Sequence, residues 1–159
     1  MPDQKMTDNA IALELETFLP YRLATLSTRI SQAISKYYIE RYQITVTEWR
    51  VIAVLGVTPE VSAGYIGQVG TMDKVAVSRA VNKLLESGYI LREFSEEDKR
   101  RSILKLSEDG WGIYNEIVPL AKKYEDDILK EFTATEHDAL ESILTKLETV
   151  QLSLSSDKP

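Results

Sequence analysis

The chain has 159 residues, of which 43% are hydrophobic and 28% are charged, and its formal net charge is −6. This length and composition are those of one ordinary globular domain with a sizeable core. The sequence contains no cysteine, which excludes disulfides, thiolate zinc sites and thiol-based oxidation switches. No apolar run approaches the roughly 20 residues that span a bilayer, and the first residues hold no apolar signal core. We therefore expect no membrane partner and a cytoplasmic location.

The N-terminal part of the chain predicts two helices. Apolar residues recur at helical spacing over 11–42, interrupted by Pro20, which indicates a short segment leading into one long helix. A capping box opens the next helix, because the Thr45 hydroxyl can accept from the backbone near Glu48 and the Glu48 carboxylate can reach back. Helix-breaking residues are expected to end this second helix: Gly56, Thr58 and Pro59.

A helix-turn-helix followed by a hairpin is predicted next. Ser62 can cap a short third helix, and Asp73 can cap a fourth, which ends where Gly88 takes the left-handed conformation. Two apolar runs, 89–94 and 103–106, have the length and composition of short strands. They bracket a charged loop, which is the order of a recognition helix followed by a β-hairpin wing.

Charge is distributed unevenly along the chain. Residues 71–106 hold eight basic and six acidic residues and have a net charge of +2. The net charge is −1 over residues 1–70 and −7 over residues 107–159. The acidic C-terminal part is therefore expected to lie away from nucleic-acid phosphates.

The C-terminal part predicts two more helices. Ser107 can cap a fifth helix, in which Pro119 is expected to produce a kink. A sixth helix is expected to begin at Thr135 and to carry an apolar seam spaced by threes and fours: Leu140, Ile143, Leu144, Leu147, Val150 and Leu154. Because one chain of this size has little core left for three long terminal helices, we expect a homodimer. The alternative is a monomer in which helices one, five and six close a self-contained bundle.

The fourth helix carries the candidate DNA-reading residues. At helical spacing, one side is apolar and is expected to be buried: Val77, Ala80, Val81 and Leu84. On the opposite side, Arg79 can make a bidentate contact to guanine, while Ser78 and Asn82 can bond base edges or phosphates. Val75 can pack on a thymine methyl group. Two lysines at the edges of this face are better placed for phosphates: Lys74 and Lys83. The alternative is an amphipathic helix whose polar face is simply solvated.

The loop between the predicted strands carries three consecutive basic residues: Lys99, Arg100 and Arg101. A hairpin tip of this kind can lay arginine into a minor groove. A charge run at a hairpin tip is often only a solvated turn. Its position directly after the reading helix favours DNA binding.

Residues 45–118 resemble the multiple-antibiotic-resistance regulator (MarR) family. The matching positions are Thr45, Ser78-Arg79, Leu84, Ser87-Gly88-Tyr89-Ile90 with Arg92, Asp98-Lys99-Arg100, and Leu106-Ser107 with Gly110. The pairing of Asp-x-Arg with Leu-Ser-x-x-Gly at this spacing is fairly specific. Two features depart from the family pattern. Ser107 stands where threonine is commoner, and Gly64 and Gly67 lower the helix propensity of the third helix.

The resemblance implies a mainly helical winged helix-turn-helix protein with a small β-hairpin wing. It implies a homodimeric transcriptional repressor that binds double-stranded DNA at a pseudo-palindromic operator. It also implies one domain over 1–159, with a DNA-binding lobe at 45–107 and a dimer lobe built from terminal helices at 11–42 and 111–154.

The same resemblance assigns roles within the wing. It implies that Asp98 braces the wing by pairing with an arginine and that Arg100 enters the minor groove. A carboxylate near phosphates is repelled unless a cation holds it, which also favours a paired Asp98.

The resemblance indicates how such a regulator is switched. Members commonly release DNA when a small, often aromatic, acid binds between dimer lobe and head, when a cysteine is oxidised, or when zinc binds. The absence of cysteine excludes the second route, and one histidine, His137, supplies too few ligands for a zinc sensor. We therefore expect a small aromatic carboxylic acid as effector, with no metal and no cofactor.

Four residues are candidate ligand contacts: Arg22, Trp49, Trp111 and Asn115. The segment around Arg22 resembles the first helix of family members that govern degradation of aromatic acids. An arginine fork among apolar neighbours suits a carboxylate, and the other three can supply ring surface and a phenol partner. The alternatives are an Arg22 that is exposed, or that pairs with Glu16 or with an acid from another helix, and tryptophans that belong to the core.

Other classes of function have less support. An enzyme is not indicated, since no nucleophile sits in a recognisable turn and there is no glycine-rich phosphate loop. A helical protein-interaction module without DNA binding would have a neutralised recognition face, which Arg79, Lys83 and Arg100 contradict. A DNA-binding regulator without a small-molecule effector is the remaining alternative.

Overall fold

The computed structural model describes residues 13–94 and 102–150. Over these residues the chain forms six helices and one antiparallel two-stranded hairpin. The elements are α1 Leu19–Tyr42, α2 Val46–Val57, α3 Ala63–Val69, α4 Lys74–Glu86, β1 Ile90–Phe94, β2 Ser102–Leu106, α5 Glu108–Leu129 and α6 Ala134–Thr149. The predicted fold class, mainly helical with a small β-hairpin wing, is confirmed.

Side-chain caps define where α2, α3 and α4 begin. The Thr45 hydroxyl accepts from the Glu48 N–H at 3.2 Å, and the Glu48 carboxylate accepts from the Thr45 N–H at 2.9 Å. The predicted capping box is therefore confirmed. Ser62 accepts from the Tyr65 N–H at 3.2 Å, and Asp73 accepts from two first-turn N–H groups of α4 at 3.0 and 2.9 Å.

Helix α2 ends at Val57 and is capped at Thr58, as predicted from Thr58 and Pro59, but Gly56 does not interrupt it, because the helix continues through this residue. A Cβ added at Gly56 would overlap the ring of Tyr114. The glycine therefore allows α5 to approach α2 closely, and this packing outweighs the low helix propensity of glycine.

The predicted start of α6 at Thr135 is wrong, because α6 begins at Ala134. The cap is Thr133, whose hydroxyl accepts from the Glu136 N–H at 3.3 Å, while the Glu136 carboxylate accepts from the Thr133 N–H at 2.8 Å. The spacing of Thr133 and Glu136 is the capping-box signal that identifies this boundary.

One face of α4 lies at the centre of the core. Its buried residues are Val77, Ala80, Val81 and Leu84, which confirms the division predicted from the helical wheel. They belong to one cluster with buried side chains of α2, α3 and the hairpin: Ile52, Leu55, Ile66, Ile90 and Leu104. The core therefore holds α4 by its apolar face and leaves the polar face outside.

The hairpin is anchored to the segment before α3. β1 and β2 pair antiparallel from Ile90 opposite Leu106 to Phe94 opposite Ser102. An isolated bridge joins Leu104 to Val61, with the Leu104 N–H bonded to the Val61 carbonyl at 2.9 Å. The sequence contained no signal for this bridge, which adds a third backbone partner to the hairpin.

Ser107 joins the end of α4 to the start of α5. Its hydroxyl donates to the Gly88 carbonyl at 2.6 Å and accepts from the Gly110 N–H at 3.0 Å. The Ser107 N–H also bonds the Tyr89 carbonyl at 3.1 Å. Gly88 has φ +73°, the left-handed conformation expected for a glycine that ends a helix.

The chain divides into two compact units, Met1–Ile117 and Val118–Pro159. The first contains α1 to α4, the hairpin and the first half of α5. The second contains the remainder of α5, with Pro119 inside the helix, and α6. Helix α6 has no buried residue, and Ile143 is 55% exposed. Leu154, the last residue of the predicted seam, lies outside the described residues.

Gly110→Ala is expected to destabilise the first unit, and Gly112→Ala is the matched control. A Cβ at Gly110 would overlap the Tyr89 carbonyl oxygen, whereas a Cβ at Gly112 meets no atom within 4 Å. Overpacking costs about 1–3 kcal/mol, and glycine to alanine in an open helix gains about 0.5–1 kcal/mol. Urea unfolding measures both changes, and equal midpoints for the two variants would contradict this packing.

Glu116 on α5 fastens the end of α1. Its carboxylate accepts hydrogen bonds from the hydroxyls of Tyr37 and Tyr42 and pairs with Arg41, with Nε and Oε1 2.6 Å apart. The hydrogen bonds from Tyr37 and Tyr42, together with the Arg41 charge, hold the pKa of Glu116 below its usual range. The hydrogen bond to Glu116 in turn raises the pKa of Tyr37.

Glu116→Gln is expected to remove a pH-dependent part of the stability. Because the folded-state pKa is lowered, the ionised carboxylate stabilises the fold above the unfolded pKa of about 4.3. This contribution is lost as the pH falls through the folded pKa. The thermal midpoint of the parent should exceed that of the variant at neutral pH, and the gap should narrow as the pH falls below about 4. A gap of constant size would show that Glu116 does not contribute in this way.

Candidate nucleic-acid interface

The outward face of α4 is a stripe of exposed side chains: Val75, Ser78, Arg79 and Asn82. Val75 is 59% exposed, an unusual exposure for a valine in a helix that is otherwise well packed. At a rise of about 1.5 Å per residue the stripe is about 10 Å long. A B-DNA major groove is about 12 Å wide and admits one helix, so this stripe has the dimensions of a reading surface.

One flank of the stripe opens into a cavity of about 420 Å³ between α3, α4 and β1, called here the α3–β1 cavity. Its lining residues are Ala63, Gly64, Gly67, Gln68, Met72, Lys74, Val77, Ser78, Val81 and Arg92. Gly64 and Gly67, which weaken α3 as a helix, thus lie in the wall of this cavity. A Cβ at Gly67 would come within 3.3 Å of the Met72 carbonyl oxygen, so the backbone of α3 approaches the turn closely here.

The other flank opens into a groove of about 370 Å³ between the start of α2 and α4, called here the α2–α4 groove. Its lining residues are Thr45, Thr47, Glu48, Ala76, Arg79, Ala80 and Lys83. Lys74 and Lys83, which the sequence placed at the edges of the polar face of α4, therefore lie on opposite flanks of this stripe. Both lysines are exposed.

The predicted basic tip of the wing falls outside the described residues. Asp98, Lys99, Arg100 and Arg101 lie within residues 95–101, which connect Phe94 to Ser102. Below the tip, an ion pair joins Lys105 to Glu93 across the two strands. The hydrogen bond from Lys105 to Glu93 raises the pKa of Lys105, as a favourable pair requires.

Two of the predicted ligand residues lie in one aromatic cluster. Trp49 and Trp111 both contact Tyr114, with ring centroids 6.4 and 5.5 Å apart, and Tyr38 lies 5.7 Å from Trp49. Trp49 is half-buried, whereas Trp111 is 38% exposed. Asn115 is exposed on α5 beside Tyr114. The spacing of residues in the sequence did not indicate that Tyr114 contacts both tryptophans.

Arg22 lies on a different surface of the chain. It lines a cavity of about 510 Å³ on α1, together with Leu15, Glu16, Leu19, Tyr21, Leu23, Thr25, Leu26 and Arg29. Trp49 and Trp111 are not among the described residues that line this cavity. Arg22 is exposed, and within residues 13–94 and 102–150 it has no ion pair with Glu16.

Sequence reasoning missed two residues of the α4 flanks, Thr47 and Arg92. Arg92 is separated by one residue from the buried Ile90, which places both on the same side of β1 and directs Arg92 toward the cavity. Thr47 follows a recognisable cap by two residues, but no local pattern indicates that it faces α4.

None of the helices in residues 13–94 and 102–150 combines the length and the hydrophobicity that a membrane span requires. In the same ranges, no group of three or more histidine, aspartate or glutamate side chains has a metal-binding arrangement. His137 is half-buried in the first turn of α6.

The order of α2, α3, α4 and a β-hairpin, with a polar stripe exposed on α4, defines a winged helix-turn-helix protein. The sequence model of the MarR family matches residues 42–101. A MarR/EmrR family transcriptional regulator from Acinetobacter sp. ADP1 is 32% identical, with a TM-score of 0.76, over 86% of this chain and 96% of that one.

Two further relatives are more distant. The HTH-type transcriptional regulator PecS of Dickeya dadantii is 24% identical over 79% of this chain and 77% of its own length. The PcaV transcriptional regulator of Streptomyces coelicolor, solved with its natural ligand, is 18% identical with a TM-score of 0.68, over 87% and 97% of the two chains. The chain belongs to the MarR family of transcriptional regulators, which are not enzymes.

Proposed function

We propose that this MarR-family regulator is a homodimeric repressor that reads a pseudo-palindromic operator through α4 and is released by a small aromatic carboxylic acid. The observation that carries the DNA-binding part is the exposed polar stripe of α4 between two basic flanks. Its opposite face is buried, so the core presents this stripe in one orientation.

Each residue of the stripe has a role that suits its chemistry. Arg79 makes a bidentate contact to guanine, since its fork matches the two acceptors of that base. Ser78 and Asn82 bond base edges or phosphates, and Val75 packs on a thymine methyl group. The two flanking lysines neutralise phosphates: Lys74 and Lys83.

The wing supplies the second DNA contact. Lys99, Arg100 and Arg101 meet the minor groove and its backbone, with Arg100 inserted. Asp98 pairs with an arginine and braces the wing rather than touching DNA. Support comes from the pairing of β1 and β2. The buried pair Ile90–Leu106 lies at one end of the hairpin, and the chain leaves β1 for residues 95–101 after Phe94, at the other end.

The terminal helices make the dimer. We assign 45–107 to the DNA-binding lobe of a single 1–159 domain, and 11–42 and 111–154 to dimerisation. Large apolar side chains are exposed on α1 and α6, and a second copy would cover them: Leu19, Leu23, Leu26, Ile143 and Leu144. A two-fold dimer also matches the symmetry of a palindromic operator.

The effector is an aromatic acid held by Arg22 and by the ring surface of Trp49 and Trp111, with Asn115 as a polar partner. The PcaV regulator, which shares the fold, was solved with its natural ligand. Because Arg22 and the tryptophans line different surfaces of one chain, their joint use requires a movement or a contribution from the second protomer. A regulator without effector is the alternative, favoured by this separation.

Arg79→Ala is expected to weaken operator binding by about 1–3 kcal/mol and to relax the preference at one position of each half-site. Arg100→Ala should weaken binding to all sequences more evenly. Affinity of the parent should fall steeply with salt, because counterions are released from the contacted phosphates. Fluorescence anisotropy with duplexes selected from a random pool gives all three measurements.

Lys36→Ala is the matched control for these variants, since Lys36 is exposed on α1 outside the reading stripe. Sedimentation should first give twice the 18.0 kDa monomer mass for every variant. Binding that is independent of salt, or unchanged in both arginine variants, would eliminate the proposed interface.

Arg22→Ala is expected to leave DNA binding nearly intact and to abolish release by the effector. A ligand shifts a protein between two arrangements only if it binds them with different affinity, and Arg22 is the group proposed to recognise its carboxylate. Calorimetry and gel shifts with benzoates and cinnamates measure this response. If no acid binds, or if the variant responds like the parent, the effector proposal fails while the DNA proposal stands.

A further inference from the structure

A methionine lies in the turn that joins α3 to α4, where small solutes can reach it. Met72 is half-buried, packs against the hydrophobic core and lines the α3–β1 cavity of about 420 Å³. Lys74 and Ser78 line the same cavity and are exposed, so the cavity is connected to solvent. The other two methionines of the chain, Met1 and Met6, lie outside the described residues. Met72 therefore places an accessible thioether directly before α4.

The side chain of Met72 helps to hold residues 70–73, called here the α3–α4 turn. A Cβ added at Gly70 would come within 2.5 Å of the Met72 Cε, so the terminal methyl group packs over the Gly70 backbone. Between the two, Thr71 has φ +50°, a left-handed conformation that is unfavourable for a β-branched residue. Such a conformation persists only where surrounding contacts impose it. The bond from the Met72 N–H to the Gly67 carbonyl at 2.9 Å is one such contact, and the packed thioether is another.

The α3–α4 turn positions the start of α4. Asp73, the residue after Met72, caps the helix by accepting from the N–H groups of Val75 and Ala76 at 3.0 and 2.9 Å. Lys74 and Val75 follow directly, and both are exposed on the surface proposed to meet DNA. A change in the conformation of Met72 therefore reaches the DNA-reading part of α4 within a few residues.

We propose that Met72 is a site of reversible oxidation, at which a peroxide converts the thioether to the sulfoxide, loosens the α3–α4 turn and weakens DNA binding. The inference goes beyond the proposed function and takes only its readout, operator affinity, from it. Because the chain has no cysteine, no thiolate of the same protein competes for the oxidant. The modification is reversible, since methionine sulfoxide reductases return the sulfoxide to the thioether.

The reaction is a two-electron oxygen transfer. A lone pair on the Met72 sulfur attacks one oxygen of hydrogen peroxide. The S–O bond forms as the O–O bond breaks, and the departing hydroxide takes the remaining proton and leaves as water. The sulfur is oxidised, the peroxide is reduced, and an apolar side chain becomes polar.

The sulfoxide does not suit the place of the thioether. Its oxygen is a hydrogen-bond acceptor, and leaving that oxygen against the apolar wall formed by Val77 and Val81 is unfavourable. Hydrogen-bond donors lie elsewhere in the same cavity, on Gln68 and Lys74. The oxidised side chain therefore turns from the core toward these donors, and Thr71 loses a contact that holds its conformation.

The test follows oxidation and operator binding in the same samples. A duplex is selected from a random pool with the unoxidised parent, and its affinity is measured by fluorescence anisotropy after exposure to hydrogen peroxide. Peptide mass spectrometry gives the extent of oxidation at each methionine. Full oxidation of Met72 should lower the affinity roughly tenfold, because binding then has to restore the turn. Treatment with the two stereospecific methionine sulfoxide reductases should restore the affinity of the parent.

Three variants locate the effect. Met72→Leu keeps a similar volume without sulfur, so it should bind like the unoxidised parent and resist peroxide. Met6→Leu is the matched control, since it retains Met72 and should remain as sensitive as the parent. Met72→Gln places a polar group in the turn and should weaken binding without peroxide.

Two results overturn the proposal and leave DNA reading by α4 intact. One is unchanged affinity of the parent when Met72 is fully oxidised. The other is an equal loss of affinity in Met72→Leu, which places the sensitive residue elsewhere. If the unoxidised parent selects no duplex, the proposed function fails, and the thermal midpoint then decides this inference. Peroxide should lower the midpoint of the parent but not that of Met72→Leu, and equal midpoints before and after oxidation of the parent would refute the role of Met72.

Discussion

Rotation of α4 about its axis is prevented by the burial of Val77, Ala80, Val81 and Leu84. Val81 and Leu84 are 1% and 0% exposed, and returning a buried valine or leucine to water costs about 1.5–3 kcal/mol each. A turn of one residue would move these side chains by about 100° and bring the charged face toward the core. The buried face of α4 therefore determines which of its side chains are exposed on the opposite side: Val75, Ser78, Arg79 and Asn82.

The other elements of the first unit hold the ends of this helix. Asp73 caps its beginning, and at its end Ser107 bonds the Gly88 carbonyl while α5 packs on Tyr89 at Gly110. These contacts tie the end of α4 to α5. Farther along α5, Glu116 binds the end of α1. The end of α1 and the first half of α5 are thus connected to α4 through hydrogen bonds and close backbone packing.

Three of the carboxylates near α4 are held by other groups. Glu48 and Asp73 accept from backbone N–H groups as helix caps, and Glu93 pairs with Lys105. Carboxylates used in this way are fixed close to the positive ends of helices or to a cation. The lysines and Arg79 on α4 have no such partners in the described ranges.

The sequence by itself determined the features that depend on neighbours a few residues apart. Helical periodicity identified both faces of α4, and cap chemistry identified the starts of α2, α3 and α4, because these interactions close within one turn. The tertiary structure alone decided that α2 continues through Gly56, that Tyr114 contacts both Trp49 and Trp111, and that Thr47 and Lys83 line the same groove. These contacts join residues far apart in the chain. No spacing rule encodes them, since they arise only when the apolar faces of several helices are packed into one core.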